Sequence, residues 1–334
     1  MNRIIECIPN FSEGKNQKTI AAIAAAIKNV EGVNLLHQDS GKAAHRTVFT
    51  FAGELEAVFE AAFMAIKVAT DLIDMQQHKG EHPRIGACDV CPFVPISGIT
   101  VEELVPYVEK FAMAVHEEFS IPIYYYEYSA QEEKRKNLAL HRSGNYEGLQ
   151  KRMKSAKWLP DLGKVFNAKS GGCVIGARNF LVAYNINLKS KDADMAQEIA
   201  YDLRSLGRPI KKENGKIIYQ PGKLKAVKAI GWYIEDFQIA QVSINLIDFN
   251  ITSLSKVYET TKEIAKKYNI ELSGSELIGL IPKQAMLDSG HFYCSASDKA
   301  TDEELIESAI KGLGLDDLKP FHPKKRILEY VLES

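Results

Sequence analysis

Apolar positions recur along the chain with two periods. Residues 3–9 alternate as a short strand, and from Asn16 the positions Ile20, Ile23, Ala24 and Ile27 fall on one helical face. Residues 33–39 form the next strand, Gly41 turns the chain, and the β-branched and aromatic run 46–52 is a third strand. Over 54–75, Leu55, Val58, Phe59, Ala62, Phe63, Ile66, Ala69 and Ile73 have helical spacing, and 89–96 reads as a strand again. The order is β-α-β-β-α-β. Thr100 and Glu103 have the form of a capping box before a helix carried by Leu104, Val105, Val108, Phe111, Ala112 and Val115. A strand at 121–128 and a charged helical piece at 131–141 follow. Periodicity is lost over 144–173, a stretch that is either a domain connection or a binding loop, because structureless segments of this length are uncommon inside domains.

The pattern then begins again. Strands at 179–188, 224–233, 239–249 and 275–281 alternate with helices at 192–206 and 252–268, again as β-α-β-β-α-β. Asn214-Gly215 marks a hairpin in the insertion before the second of these strands, and Thr301 with Glu304 offers a capping box for a terminal helix, after which the tail to Ser334 is a packing arm. Two split βαβ units of similar length predict an α+β protein, an α/β sandwich of two ferredoxin-like βαββαβ subdomains with mixed sheets, divided as 1–178 and 179–334. In that topology Asn10, Asp39, Arg46 and the loop holding His82 meet at one edge of the first sheet.

Composition narrows the function classes. With 46% hydrophobic and 25% charged residues and a net charge of -1, the chain has the make-up of a globular domain protein and no basic footprint for nucleic acid. No apolar run reaches the roughly 18 to 20 residues of a membrane helix, and the N-terminus has no signal-like apolar region, so a cytoplasmic protein is expected. The five cysteines, Cys7, Cys88, Cys91, Cys173 and Cys294, are odd in number and scattered, as reduced buried thiols are.

The densest chemistry lies in HKGEHPRIGACDVCPFVP, residues 78–95. Pro83 pushes His82 out of the helical region, and Gly80 and Gly86 permit sharp turns around it. An imidazole has an unperturbed pKa of about 6.5, so His82 is the candidate acid/base. The other reading of a loop histidine, a surface or hydrogen-bonding residue, is preferred for His37, His116, His141, His291 and His322. His78 and His82 are spaced like helical metal ligands, but Gly80 and Pro83 oppose that helix. Cys88 and Cys91 form C-x-x-C, yet residues three apart on a strand face opposite sides, so no metal is expected. Neither G-x-G-x-x-G nor a P-loop occurs.

These residues carry a resemblance. ECIPNFSEGKN (6–16), HRTVFTF (45–51), LIDMQQHKGEHPRIGACDVCPFVPI (72–96), GARNFLVAYNINL (176–188) and AIGWY (229–233) resemble glutamate formimidoyltransferase, the formiminotransferase part of formiminotransferase-cyclodeaminase. The resemblance runs over nearly the whole chain. It implies two subdomains whose sheets face one another across a folate-binding cleft, a homodimer, and His82 as the catalytic residue. It also implies folate contacts along Gly163, Lys164, Val165, Phe166, Asn167, Ala168, Lys169, Ser170, Gly171 and Gly172. The expected substrates are formiminoglutamate and tetrahydrofolate, the latter in polyglutamylated form as well, without metal, and the chain is expected to stand alone with a separate cyclodeaminase acting on its product. Asp39 either steadies the cationic amidine or orients His82. Asn10 lies at the substrate-binding edge, and Arg46, Arg84 and Arg178 suit the substrate carboxylates because a guanidinium fork pairs with them bidentately. A formyl donor, another formimino-amino acid, and a folate-binding protein without turnover are the alternatives.

Overall fold

The N-terminal alternation becomes strand β1 (Ile4–Cys7), interrupted by Ile8 and Pro9 and resumed as β2 (Asn10–Phe11). The computed structural model describes residues 3–42, 44–80, 82–295 and 299–332, and the chain divides into the units Met1–Asn179 and Phe180–Ser334. In the first unit, the Asn16 side chain accepts from the backbone of Lys18 and Thr19 and so starts α1 (Gln17–Lys28). Strands β3 (Val33–Gly41) and β4 (Arg46–Glu54), helix α2 (Leu55–Leu72) and strand β5 (Cys88–Ser97) complete the first βαββαβ. Both halves of the Thr100–Glu103 capping box are formed at α3 (Val101–Phe119).

Beyond this point the pattern and the fold diverge. The expected strand 121–128 is only β6 (Ile123–Tyr125), because Glu127 adopts a left-handed φ of 50° and opens a 3-10 turn. Helices α4 (Leu138–His141) and α5 (Asn145–Arg152) follow, and α5 buries only Leu149, so no apolar stripe announces it. Strand β7 (Cys173–Ala177) is buried at all five positions, and such a short continuous apolar run gives no alternation to read.

The sheet runs β3, β4, then β1 with β2, then β5, β7 and β6. Its first four positions are antiparallel and ferredoxin-like, while β5–β7 and β7–β6 are parallel. On one face Ile5, Phe11, Phe49, Phe51 and Phe93 share a core with the apolar sides of α1, α2 and α3. On the other, Ile85, Val90, Tyr124, Tyr126 and Val174 are capped by Leu149 and Met153. Since strand residues alternate between faces, Arg46, Val48 and Thr50 of β4 point away from the helices.

The second unit holds β8 (Val182–Leu188), α6 (Ala193–Leu203), the hairpin of β9 (Arg208–Lys211) and β10 (Ile217–Gln220) around Asn214-Gly215, β11 (Val227–Ile234) and β12 (Ile239–Leu246). It continues with α7 (Leu254–Lys267), β13 (Leu272–Ile278), α8 (Lys283–Tyr293), α9 (Asp302–Leu313), α10 (Pro323–Arg326) and α11 (Leu328–Leu332). The four-stranded sheet β11-β12-β8-β13 is wholly antiparallel, the ferredoxin-like order. Val182, Tyr184, Ile186 and Leu188 face α6 and α7 in a second core. Helix α8 had no sequence signal because its buried side is small: a Cβ on Gly290 would stand 2.3 Å from the Leu305 carbonyl oxygen. The tail packs through Ile327 and Leu328, and its end at Ser334 lies outside the described residues. Among the described residues no helix is long and apolar enough to cross a membrane.

Candidate active site

The loop between α2 and β5 is fastened before it reaches His82. Gly80 lies so close to the preceding β3–β4 turn that a Cβ would be 2.5 Å from the Ala44 carbonyl oxygen. His78 contacts the His45 carbonyl through Nε2 at 2.9 Å and accepts from Arg84 Nε through Nδ1 at 3.1 Å, so the Nε2 proton donates. The His45 and His78 rings stack at 4.2 Å. His45 in turn contacts the Lys79 carbonyl and the Glu13 carboxylate, tying the loop to the segment before α1. Glu81 lies outside the described residues.

Arg84, only 5% exposed, gives its guanidinium to the protein. Besides His78 Nδ1 it donates to the His78 carbonyl and, bidentately, to Glu147 at 2.7 and 3.0 Å. Asp89, 1% exposed, is the extra residue of a β-bulge, since Asn10 pairs with Val90 and Phe11 with Cys88. Its carboxylate accepts from Ile85 N at 2.8 Å and from Arg142 Nε and Nη2 at 2.8 and 2.5 Å. The same bulge corrects the expectation about the cysteines. By adding one residue it returns Cys88 and Cys91 to the same face, where they join Cys7 and Cys173 in the helix-side core, with Cys7 Sγ 3.6 Å from Cys91 Sγ. Among the described residues no group of three or more His, Cys, Asp or Glu is arranged to hold a metal ion.

His82 itself is half-buried, and its Nε2 is hydrogen-bonded to Arg46 Nη1. A guanidinium only donates, so Nε2 is the acceptor and the ring proton sits on Nδ1. That Nδ1 is buried without a well-formed hydrogen bond among the described residues. Burial first, then the charges of Arg46 and Arg142, push the imidazole down to about 4, offset in part by Asp89 and the Pro83 backbone. At neutral pH His82 is therefore an uncharged base with its lone pair occupied.

The structure joins His82 with Arg46 on β4, and Asp39, exposed on β3 and in register with Val48, adds a favourable charge to Arg46. Asn10 lies on β2 between Val48 and Val90, its amide donating to Ile8 O at 3.2 Å. Arg178 is farther along, where its backbone donates to Phe93 O and its side chain to Asn179 O. There it sits near Glu6, 1% exposed, whose carboxyl is raised to about 8 by burial. Arg142 and Asp89 are the participants that sequence reading missed. The one available signal was a lone carboxylate, Asp89, inside the apolar run 85–95.

The segment 163–172 has two parts. Lys164 and Val165 are open, Val165 being 82% exposed, while Gly163 lies against the His116 ring and Phe166 packs beside Tyr146 and the Leu149–Met153 cluster. From Asn167 onward the chain is pinned: Gly171 N donates to Asn167 O, Ser170 N to Asn167 Oδ1, Tyr146 to Ala168 O, and Lys169 Nζ to Asp71 O. Gly172 N then donates to Ile85 O beside the loop of His82.

Comparison with known families gives the same two-part division. Residues 4–178 match the model described as the formiminotransferase domain, N-terminal subdomain, and residues 183–333 match the formiminotransferase domain. The chain is 41% identical over 313 residues to glutamate formimidoyltransferase of Streptococcus pyogenes serotype M1, covering 93% of this chain and 100% of that protein. It is 36% identical to glutamate formimidoyltransferase of Thermoplasma acidophilum, covering 87% and 92%. Formimidoyltransferase-cyclodeaminase of Rattus norvegicus is 45% identical over 99% of this chain, which spans 60% of the length of that relative. With both subdomain models matched in order and the bacterial protein covered end to end, the chain belongs to the formiminotransferase family.

Proposed function

We propose that this protein is a glutamate formimidoyltransferase, moving the formimino group of N-formimino-L-glutamate to N5 of tetrahydrofolate and releasing L-glutamate and 5-formimidoyltetrahydrofolate, a step of histidine degradation. The observation that carries the reading is the uncharged His82 beside Arg46 on a polar sheet face, in a chain of this family. N5 attacks the amidine carbon, a tetrahedral carbon forms, the N5 proton leaves, and the glutamate nitrogen gains a proton as its bond to carbon breaks. His82 takes the first proton and returns it to the leaving nitrogen, a role that typically contributes about 10² to 10⁴-fold. Asp39 faces the cationic amidine. Arg46 takes a donor carboxylate, with Asn10 and Arg178 lining the same face. Arg84 is assigned to holding the loop, since its donors already have partners. Lys164, Val165 and Phe166 contact the folate.

The reaction is taken to need no metal and to occur in the cytoplasm in a homodimer. The test is to incubate purified protein with tetrahydrofolate and, separately, formiminoglutamate, N-formylglutamate and formiminoglycine, with and without a chelator, following the folate product. Turnover confined to formiminoglutamate and indifferent to the chelator is expected. Turnover only with the formyl donor, or activity abolished by chelation and restored by zinc, overturns it.

A further inference from the structure

His82 cannot accept a proton at Nε2 while Arg46 donates to it, because the one lone pair of the neutral ring is engaged. Nδ1 offers no alternative, as it carries the ring proton. Either Arg46 leaves during each turnover or His82 is idle. Every charged group around the pair bears on which it is. From β5, the Asp89 carboxylate is engaged by Ile85 N and by Nε and Nη2 of Arg142 and makes no hydrogen bond to Arg46. From β3, Asp39 attracts Arg46 but forms no hydrogen bond to it. Arg46 thus donates to a neutral acceptor, His82, while the carboxylates that attract it, Asp89 first and then Asp39, form no ion pair with it among the described residues.

A charged acceptor forms the stronger hydrogen bond with a guanidinium than a neutral ring nitrogen does. The donor substrate brings carboxylates. We propose that Arg46 is a substrate-operated latch on the general base: a carboxylate of the acidic donor draws the guanidinium off His82 Nε2, and only then can His82 take the N5 proton. This rests on the formimidoyltransferase reading and deepens it. In the step itself, N5 to carbon bond formation is matched by transfer of the N5 proton to the freed Nε2. Cleavage of the carbon to glutamate nitrogen bond is matched by return of that proton to the nitrogen, and Arg46 stays cationic throughout. Selection for an acidic amino-acid donor is thereby built into turnover as well as binding. A plain clamp would hold ground and transition states alike and affect KM. A latch makes the donor carboxylate a condition for kcat.

The experiment follows the His82 ring by proton NMR as pH is varied, in wild type and in Arg46→Ala, with and without saturating L-glutamate, and calorimetry checks glutamate binding. In wild type the midpoint lies near 4 without glutamate and rises by about one pH unit or more with it, a tenfold or greater change in proton affinity. In Arg46→Ala it is already raised and glutamate no longer moves it. Where Arg46→Ala does not fold, Arg46→Gln carries the same comparison. In kinetics, a formimino donor built on an uncharged amine has kcat at least about tenfold below that of formiminoglutamate in wild type, and the kcat ratio falls toward one in the variant. A wild-type midpoint unmoved while glutamate binds overturns the latch and leaves Arg46 a plain clamp, with the proposed function intact. Failure of both glutamate and formiminoglutamate to bind, with no formimidoyl transfer, overturns the function itself.

Discussion

Arg84 shows how a loop arginine with the right chemistry for a substrate carboxylate can be committed elsewhere. Its four bonds to His78 and Glu147 fix the start of the loop that presents His82. His78 is buried, and leaving its Nδ1 and carbonyl unsatisfied costs roughly 1–3 kcal/mol per group, whereas Glu147 is exposed and returns to water. Arg84→Ala is therefore expected to lower the denaturant midpoint and kcat together. A selective rise in KM for formiminoglutamate at unchanged stability would instead make it a substrate ligand. Glu6 permits a second prediction at this scale. Its folded pKa, raised to about 8 from the ordinary carboxyl value of about 4.5, means that burial disfavours the ionised form that the unfolded chain adopts freely. Its contribution is fully present below about 4.5 and is lost as pH rises through about 8. Glu6→Gln should accordingly stabilise the protein more at pH 8.5 than at pH 5, by roughly 2–4 °C in Tm for each kcal/mol recovered. Equal shifts at the two pH values would show that Glu6 is ionised in the folded state.

At the scale of elements, what was legible in the sequence depended on how each segment buries itself. Helices α1, α2, α3, α7 and α9 bury one side with branched or aromatic residues, and their periodicity stands in the letters. Helix α8 buries Ala285, Met286, Ser289 and Gly290, α5 buries Leu149 alone, and β7 is covered on both faces, so their signals are faint or ambiguous. His82 and Arg46 could be paired in advance because topology alone brings the β3–β4 turn toward the loop before β5. The Arg142–Asp89 pair could not, since it depends on a bulge that alternation cannot reveal. The segment after α5 divides in the same way: Asn167 to Gly172 are already hydrogen-bonded within the unit and Phe166 packs beside Tyr146, whereas Lys164 and Val165 are open. If folate lies against this segment, a stable folate analogue should slow amide exchange at residues 164–166 and change residues 167–172 little. Protection that rises elsewhere and not at 164–166 would make the segment a connection between α5 and β7.

At the scale of the whole molecule, the chain repeats one ferredoxin-like order with different additions. The first unit extends it by the parallel strands β7 and β6, and the second adds the β9–β10 hairpin and the helices after β13. Each has its own core. The cluster built on Val182, Tyr184, Ile186 and Leu188 draws on β8, β11, β12, β13 and the helices that follow, with no residue from before Phe180. His82, to which proton transfer is assigned, and the charged groups around it, Arg46, Asp39, Asp89 and Arg142, all belong to the first unit. Stability and chemistry should therefore separate on cutting the chain. A protein comprising residues 180–334 has a closed four-stranded order and a continuous core, the conditions for cooperative folding of a domain of this size. It is expected to give a dispersed NMR spectrum and a single thermal transition, and to have no formimidoyltransferase activity. Mixing it with residues 1–179 should restore measurable turnover if the second unit contributes to substrate binding. A fragment that stays unfolded would show that the second core depends on the first despite sharing no residue with it.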